Sequence, residues 1–197
     1  MVHPDTELRY ISAAIGWGIF ATKPLPRGTI TWALDALDQK FTPAEAAAMP
    51  AYARDLLYKY SYIDSAGRHI LCWDHARFFN HSCAANCLSV GYDFELAIRD
   101  IAAGEELTDD YGTLNPGEPF PCLCASRDCR GHVLPDDMLR LGETWNTLAR
   151  EAFFLIPGLP QPLWDIVPDR PAIEAALANP DLLRPIHHHY RGKPAGR

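Results

Sequence analysis

The chain lacks any apolar run approaching the ~18 residues that a membrane span requires, and Met1 to Tyr10 do not show the charged-then-apolar order of a secretory leader. Both absences lead to the expectation of an intracellular protein without membrane association. A basic surplus is missing as well: 18 Lys and Arg stand against 25 Asp and Glu, a formal net charge of -7. General nucleic-acid binding calls for a basic face, so no direct nucleic-acid contact is expected. A basic peptide partner remains compatible with the acidic balance. No internal repeat or low-complexity tract is visible. Gly16-Trp17-Gly18 lacks the third glycine and the following βαβ unit of a dinucleotide-binding fingerprint.

What is present describes an ordinary globule. The 197 residues, 48% hydrophobic and 22% charged, suffice for one domain with an appendage and a proper core. Short strands are expected at Glu7 to Ser12, from Ile19, at Thr29 to Leu34, around Tyr60 to Asp64, at Arg68 to Cys72, at Phe94 to Arg99 and at Glu106 to Tyr111. Thr42-Pro43-Ala44-Glu45 has a capping residue, a proline at the first helical position and the glutamate of a capping box, so a helix is expected from there to about Tyr58, loosened at Pro50. A second helix is expected over Pro135 to Ile156, with Met138, Leu141, Trp145, Leu148 and Phe153 as its apolar stripe. Pro157 to Pro171 reads as irregular, Ala172 to Ala178 as a last short helix, and His187 to Lys193 as a basic, mobile tail. This is a mainly β, α+β arrangement of small sheets followed by helices.

Six cysteines fall at positions 72, 83, 87, 122, 124 and 129. Without a leader, the spacing Cys122-x-Cys124-x4-Cys129 favours metal ligation over disulfides. Structural zinc takes a tetrahedron of four ligands, so a fourth must come from elsewhere, and Cys83 is the candidate. Cys72 and Cys87 read as small core residues.

Cys83 belongs to Arg77-Phe78-Phe79-Asn80-His81-Ser82-Cys83, where an amide, an imidazole and a thiol follow two aromatic rings. Such a run suits a buried polar site. A cysteine hydrolase built on Cys83 and His81 has no orienting third group and would use a thiol already assigned to metal.

In order along the chain, Gly16-Trp17-Gly18, Arg77-Phe-Phe-Asn80-His81-Ser-Cys83, Gly104-Glu-Glu-Leu-Thr-x-Asp110-Tyr111-Gly112 and Cys122-x-Cys124-x4-Cys129-Arg130-Gly131 resemble the SET-domain family of protein lysine methyltransferases. The resemblance covers roughly residues 7 to 132 and implies a fold of small β-sheets in which one segment threads a loop of another, a pseudoknot. It implies a SET domain over 1–118, a post-SET zinc-binding segment over 119–133 and a C-terminal helical extension and tail over 134–197. It further implies that Gly16, Trp17 and Gly18 contact S-adenosylmethionine, with Tyr60, Arg77, Asn80 and His81 on the cofactor side. Tyr111 matches the catalytic tyrosine and also borders the cofactor. Tyr62 is a candidate for the wall of the substrate channel. Zn would be shared by Cys83, Cys122, Cys124 and Cys129. The partner would be a lysine-bearing protein or peptide, a histone or another basic protein, and a catalytically silent peptide-binding module is the alternative.

Two positions depart from the family pattern. The residue two before the tyrosine, commonly aromatic and tied to the number of methyl groups added, is Asp109, and proline is replaced by Ala85. On an extended strand Leu107, Asp109 and Tyr111 share a face, so Asp109 either enters the amine pocket, drawing the substrate ammonium or a water, or is turned to solvent by strand twist.

Overall fold

The computed structural model describes residues 1–192; Lys193, at the end of the expected tail, lies outside them. The chain opens with two antiparallel strands, β1 (Thr6–Ser12) and β2 (Gly16–Ala21). Gly16 stands at the turn between them with φ +89, a left-handed value that glycine adopts without a Cβ penalty. β3 (Ile30–Ala33) and β4 (Gln39–Phe41) follow.

The Thr42 hydroxyl accepts from the Glu45 N–H while the Glu45 carboxylate takes the Thr42 N–H at 2.7 Å, a complete capping box at the head of α1 (Pro43–Ala48). The single helix expected to about Tyr58 is two. Proline disfavours a helical conformation in the residue before it, and Met49 sits at ψ 150, so α1 ends there and α2 (Ala51–Tyr60) starts afresh. β5 (Ser61–Ile63) and β6 (His69–Leu71) then complete a sheet of order β4-β6-β5.

A 3-10 turn at His75–Phe78 leads into β7 (Asn80–His81), β8 (Cys87–Val90), β9 (Tyr92–Ala97) and β10 (Glu106–Asp109). β10 is central to a four-stranded sheet of order β1-β2-β10-β7. It runs antiparallel to β2, with Leu107 opposite Ile19, and parallel to β7, with Thr108 opposite Asn80. Parallel pairing of two-residue β7 is secured from outside the ladder: Asn86 accepts the Thr108 N–H through Oδ1 at 2.8 Å and donates through Nδ2 to the Glu106 carbonyl at 2.7 Å. This is how residues distant in sequence converge.

The sheet β3-β9-β8 carries the main core. Ile30, Phe94 and Leu96 are fully buried beneath α3 (Asp137–Phe153) and α4 (Arg170–Ala178), against Ala152, Phe153 and Ile173. Each such aliphatic or aromatic side chain contributes about 2 kcal/mol of transfer free energy. The buried face of α3 is Met138, Gly142, Trp145, Ala149, Ala152 and Phe153, steps of three and four. Leu148, expected in the stripe, is exposed instead, because the small Ala149 lets the helix approach the sheet one position round.

The expected mobile tail is packed. Ile186 is buried with Leu88, Met138 and Trp145, and its N–H reaches Asn146 Oδ1 at 2.7 Å. His189 Nε2 lies 2.8 and 3.0 Å from the Val90 and Tyr92 carbonyls, so that nitrogen carries a proton and donates to the sheet. Between β10 and α3, β11 (Phe120–Pro121) and β12 (His132–Val133) form a small hairpin whose loop holds three of the cysteines. No described helix is long and apolar enough to cross a membrane.

Candidate active site

The three strands β2, β10 and β7 set the polar residues of one edge against one another. Asn80 Nδ2 donates to the Trp17 carbonyl at 3.0 Å and to Glu106 Oε1 at 2.7 Å. Both amide hydrogens are thereby engaged within the protein, leaving Oδ1 for a ligand. Gly18 is approached by side-chain ends: a Cβ there would meet Glu106 Oε1 at 2.4 Å and Ile11 Cδ1 at 2.7 Å. Gly16, by contrast, opens on free space, and Trp17 is 46% exposed beside it, its ring edge-on to Tyr10 at 5.6 Å. An open glycine edge with an exposed indole fits an adenosine-bearing ligand such as S-adenosylmethionine.

Tyr111 does not continue β10. Asp110 caps a 3-10 turn over Tyr111–Thr113 by accepting the Gly112 N–H at 3.0 Å, so the tyrosine leaves the plane of the sheet. Its hydroxyl donates to the Phe79 carbonyl at 2.5 Å, immediately before Asn80. Burial, with the charges of Asp109, Glu106 and Glu95 nearby, raises its phenol well above the ordinary tyrosine value. At neutral pH it is a hydrogen-bond donor and not a base.

Tyr111 borders a cavity of about 680 Å³ whose wall includes Trp32, Tyr60, Tyr62, Phe79, Asp109 and Phe120. Tyr60 meets Phe78 edge-on at 5.4 Å and Tyr62 meets Trp32 edge-on at 5.8 Å. Tyr60, Tyr62, Arg77 and Asp109 thus share this cavity with Tyr111, whereas Gly16, Trp17, Gly18 and Asn80 form the neighbouring open edge. Asp109 does not meet solvent: it is 1% exposed. The Arg77 guanidinium lies 5.4 Å over the Phe78 ring.

His81 turns its ring away from the Trp17 edge. Nδ1 accepts the Tyr111 N–H at 3.1 Å, and Nε2 lies 3.4 Å from Cys83 Sγ. A backbone N–H always donates, so Nδ1 is bare and the proton of the neutral ring sits on Nε2, facing the sulfur. Burial favours that neutral form by lowering the imidazole from its ordinary value.

His81, Cys83, Cys122 and Cys124 place one ligand atom each within 4.8 Å of one another. Because Nε2 is protonated, His81 suits an N–H···S bond to Cys83 better than a metal bond. Cys129, on the same loop as Cys122 and Cys124, lies outside that group of four and is the further thiol the loop offers. Backbone N–H groups of Cys83, Cys124, Arg130 and Gly131 point at the sulfurs of Cys124, Cys122, Cys83 and Cys129 over 3.4 to 3.5 Å. Sulfurs gathered in this way and fed by amide donors fit a thiolate-bound zinc. Cys72 and Cys87 are buried elsewhere.

Arg130, which sequence reading quoted only as part of a motif, joins the two halves of the site. Its guanidinium holds Asp110 through both nitrogens at 2.7 and 2.8 Å and reaches Asp137 at the start of α3 at 3.2 Å. Gly112 lies under α3 so closely that a Cβ would stand 2.8 Å from both Asp137 Cβ and the Trp145 ring. The tyrosine turn, the cysteine loop and α3 are locked as one unit.

Residues 16–112 match the family model described as SET domain. Among curated proteins, the chain is 32% identical over 147 residues to the histone-lysine N-methyltransferase ash1 of Drosophila melanogaster, covering 67% of this chain and 6% of that protein. It is 30% identical over 148 residues to the human histone-lysine N-methyltransferase SETD2, covering 66% and 6%. A histone-lysine N-methyltransferase of Schizosaccharomyces pombe, H3 lysine-36 specific, is 32% identical over 139 residues, covering 63% and 17%. The chain therefore spans a small part of these relatives' lengths. Among solved structures, KRYPTONITE in complex with mCHG DNA and SAH aligns with TM-score 0.45 at 23% identity, over 62% of this chain and 27% of that one.

Proposed function

Because the chain belongs to the SET-domain family through residues 16–112, we propose that it is a protein lysine methyltransferase, moving a methyl group from S-adenosylmethionine to the ε-amine of a lysine in a protein substrate. The carrying observation is the junction at Phe79 and Asn80: the Tyr111 hydroxyl is bonded to one side of it and the Trp17 carbonyl to the other. An open glycine edge and an aromatic cavity thus meet at one point of the backbone.

S-adenosylmethionine, when bound, supplies an electrophilic methyl on a sulfonium. The chain's own residues do the rest. Transfer is an in-line displacement, so Gly16, Trp17, Gly18 and the main chain at Asn80 hold the donor while the cavity aims the amine. Tyr60 and Arg77 border the donor side, and Tyr62 lines the amine's path. Tyr111 orients the incoming nitrogen, its hydroxyl already fixed against Phe79. A free lysine near pKa 10.4 pays roughly 4 to 5 kcal/mol to be neutral at pH 7, which burial in an aromatic wall reduces.

Cys83, Cys122, Cys124 and Cys129 would hold zinc and pin the cysteine loop beside Tyr111, with His81 donating to the Cys83 sulfur. The substrate is read as a basic protein, histones being the class named for the relatives, and the acidic net charge suits it. No nucleic-acid surface is part of this reading.

The test is transfer of labelled methyl from S-adenosylmethionine to core histones and a mixture of other basic proteins, followed by hydrolysis to find methyllysine. Labelled methyllysine is expected with the wild type. Tight cofactor binding without transfer would instead point to a silent binding module.

A further inference from the structure

Of the carboxylic acids that line the cavity, two are buried. Glu95, in the middle of β9, and Asp109, at the end of β10, are 7% and 1% exposed, and both line the space that Tyr62 and Tyr111 border. The two carboxyls are near enough that each acts on the other's ionisation. Asp109 Oδ1 accepts the Asp110 N–H at 2.7 Å, but its Oδ2 is buried without a donor. The Trp32 Nε1 on the same wall is likewise buried without a partner.

Among the described residues no lysine or arginine forms an ion pair with either acid. The two cations at the rim are engaged with rings, Lys59 over Tyr60 at 5.1 Å and Arg77 over Phe78 at 5.4 Å. Leaving two acids in an aromatic wall with no counterion costs stability and is sustained where a ligand uses it.

We propose that Glu95 and Asp109 together form a subsite that receives the ε-ammonium of the incoming lysine and accepts its proton. The inference rests on the methyltransferase reading for its chemistry, though not for its binding step. Two neighbouring buried carboxyls resist ionising together. Burial pushes Glu95 up to about 7, and burial followed by the Glu95 and Asp110 charges lifts Asp109 well above the usual carboxylate range. The pair therefore carries at most about one negative charge as the lysine arrives.

In the transfer itself one N–H bond of the ammonium breaks and one O–H bond forms on the carboxylate of the pair. The products are a neutral amine and an uncharged diacid. The nitrogen lone pair is then free to attack, with no water needed at the bottom of the cavity. A single carboxylate would hold the ammonium and keep it charged; a pair that already owns one proton holds the cation less tightly and can take a second. Asp109, where the family usually has an aromatic residue, is thus one half of a device whose other half is Glu95.

The probe is n-butylammonium, a lysine side chain cut free, with n-butanol as its uncharged counterpart, each titrated into the full chain and followed by amide chemical shifts on β9, β10 and the Tyr111 turn. The wild type is expected to bind n-butylammonium at least roughly tenfold more tightly than n-butanol, the scale of a hydrogen bond to a charged group. Glu95→Gln and Asp109→Asn are near-isosteric, and each is expected to remove most of that preference while leaving n-butanol binding and S-adenosylhomocysteine affinity unchanged. Equal affinity of the wild type for both probes overturns the subsite, and so do amide variants that keep the preference. Since no turnover is involved, a chain that binds the cation yet methylates nothing would refute the methyltransferase reading alone.

Discussion

Replacing Arg130 with methionine removes, among the described residues, the cation paired with both Asp110 and Asp137, leaving Asp137 its weaker pair with Arg140 at 3.4 Å. The two carboxylate side chains are 2% and 1% exposed, against 21% for Arg130 itself. Withdrawing one partner from a buried ion pair costs about 3 to 5 kcal/mol because the other charge stays buried. The lower end applies here. Arg130 is partly solvated, Asp110 keeps the Gly112 N–H at 3.0 Å, and Asp137 keeps the Leu134 N–H at 3.0 Å. A loss of about 3 kcal/mol over a urea slope of about 2 kcal/mol per molar lowers the unfolding midpoint by roughly 1.5 M.

The assay is equilibrium urea unfolding at constant pH and ionic strength, with zinc present throughout. The triple variant Arg130→Met, Asp110→Asn, Asp137→Asn carries no buried charge at this point and should regain at least half of the lost midpoint. A shift below about 0.3 M for Arg130→Met, within extrapolation error, would refute the claim that this guanidinium locks the tyrosine turn to α3. So would a triple variant less stable than the single one.

Gly112→Ala should cost about 1 to 3 kcal/mol, since its Cβ would stand 2.8 Å from the Asp137 and Trp145 side chains, and urea unfolding reads it directly. Chelation should release zinc and make four thiols reactive to a colorimetric thiol reagent, while Cys72 and Cys87 stay buried until the chain unfolds. Glu95 has a folded-state value near 7 against an ordinary 4.5, so its contribution to stability is full below about pH 4.5 and declines as pH rises through 7. The slope for one proton is roughly 1.4 kcal/mol per pH unit at most. Urea midpoints should accordingly favour Glu95→Gln over the wild type more at pH 8 than at pH 5, and an equal difference at both would sink the assignment.

Local chemistry made part of this fold readable in advance. The Thr42 to Glu45 capping box names its own helix start, and alternating strands with glycine turns place β1, β6 and β9. The three clustered cysteines demanded a fourth thiol, and Cys83 Sγ lies 3.7 Å from that of Cys122. Other features depend on contacts that no short window contains. Asp110 bends the chain out of β10 through a side-chain bond to Gly112, so Tyr111 faces the cavity from a turn where strand alternation had placed it on the face of Leu107 and Asp109. His81 looked like a cofactor neighbour, but its ring is committed at both nitrogens, to the Tyr111 amide and toward the Cys83 sulfur.

Glu95 gave no signal because β9 is buried on both faces through Phe94, Glu95, Leu96 and Ala97. A lone glutamate in a strand is ordinarily assigned to the solvent side. The C-terminal tail reads as polar, yet Ile186 is buried beside it, Tyr190 packs on the same cluster, and Asn115 Nδ2 donates to the His189 carbonyl at 2.8 Å.

A division of labour between two neighbouring surfaces is proposed, with the donor held at the Gly16 to Asn80 edge and the amine aimed by Tyr111. It is tested most directly by measuring S-adenosylhomocysteine affinity and single-turnover methyl transfer side by side for Asn80→Ala and Tyr111→Phe. The account predicts that Asn80→Ala weakens binding by roughly tenfold or more, while Tyr111→Phe keeps binding within about twofold and slows transfer on the order of a hundredfold. Transfer at the wild-type rate by Tyr111→Phe, or cofactor binding that depends on Tyr111 and not on Asn80, would contradict it.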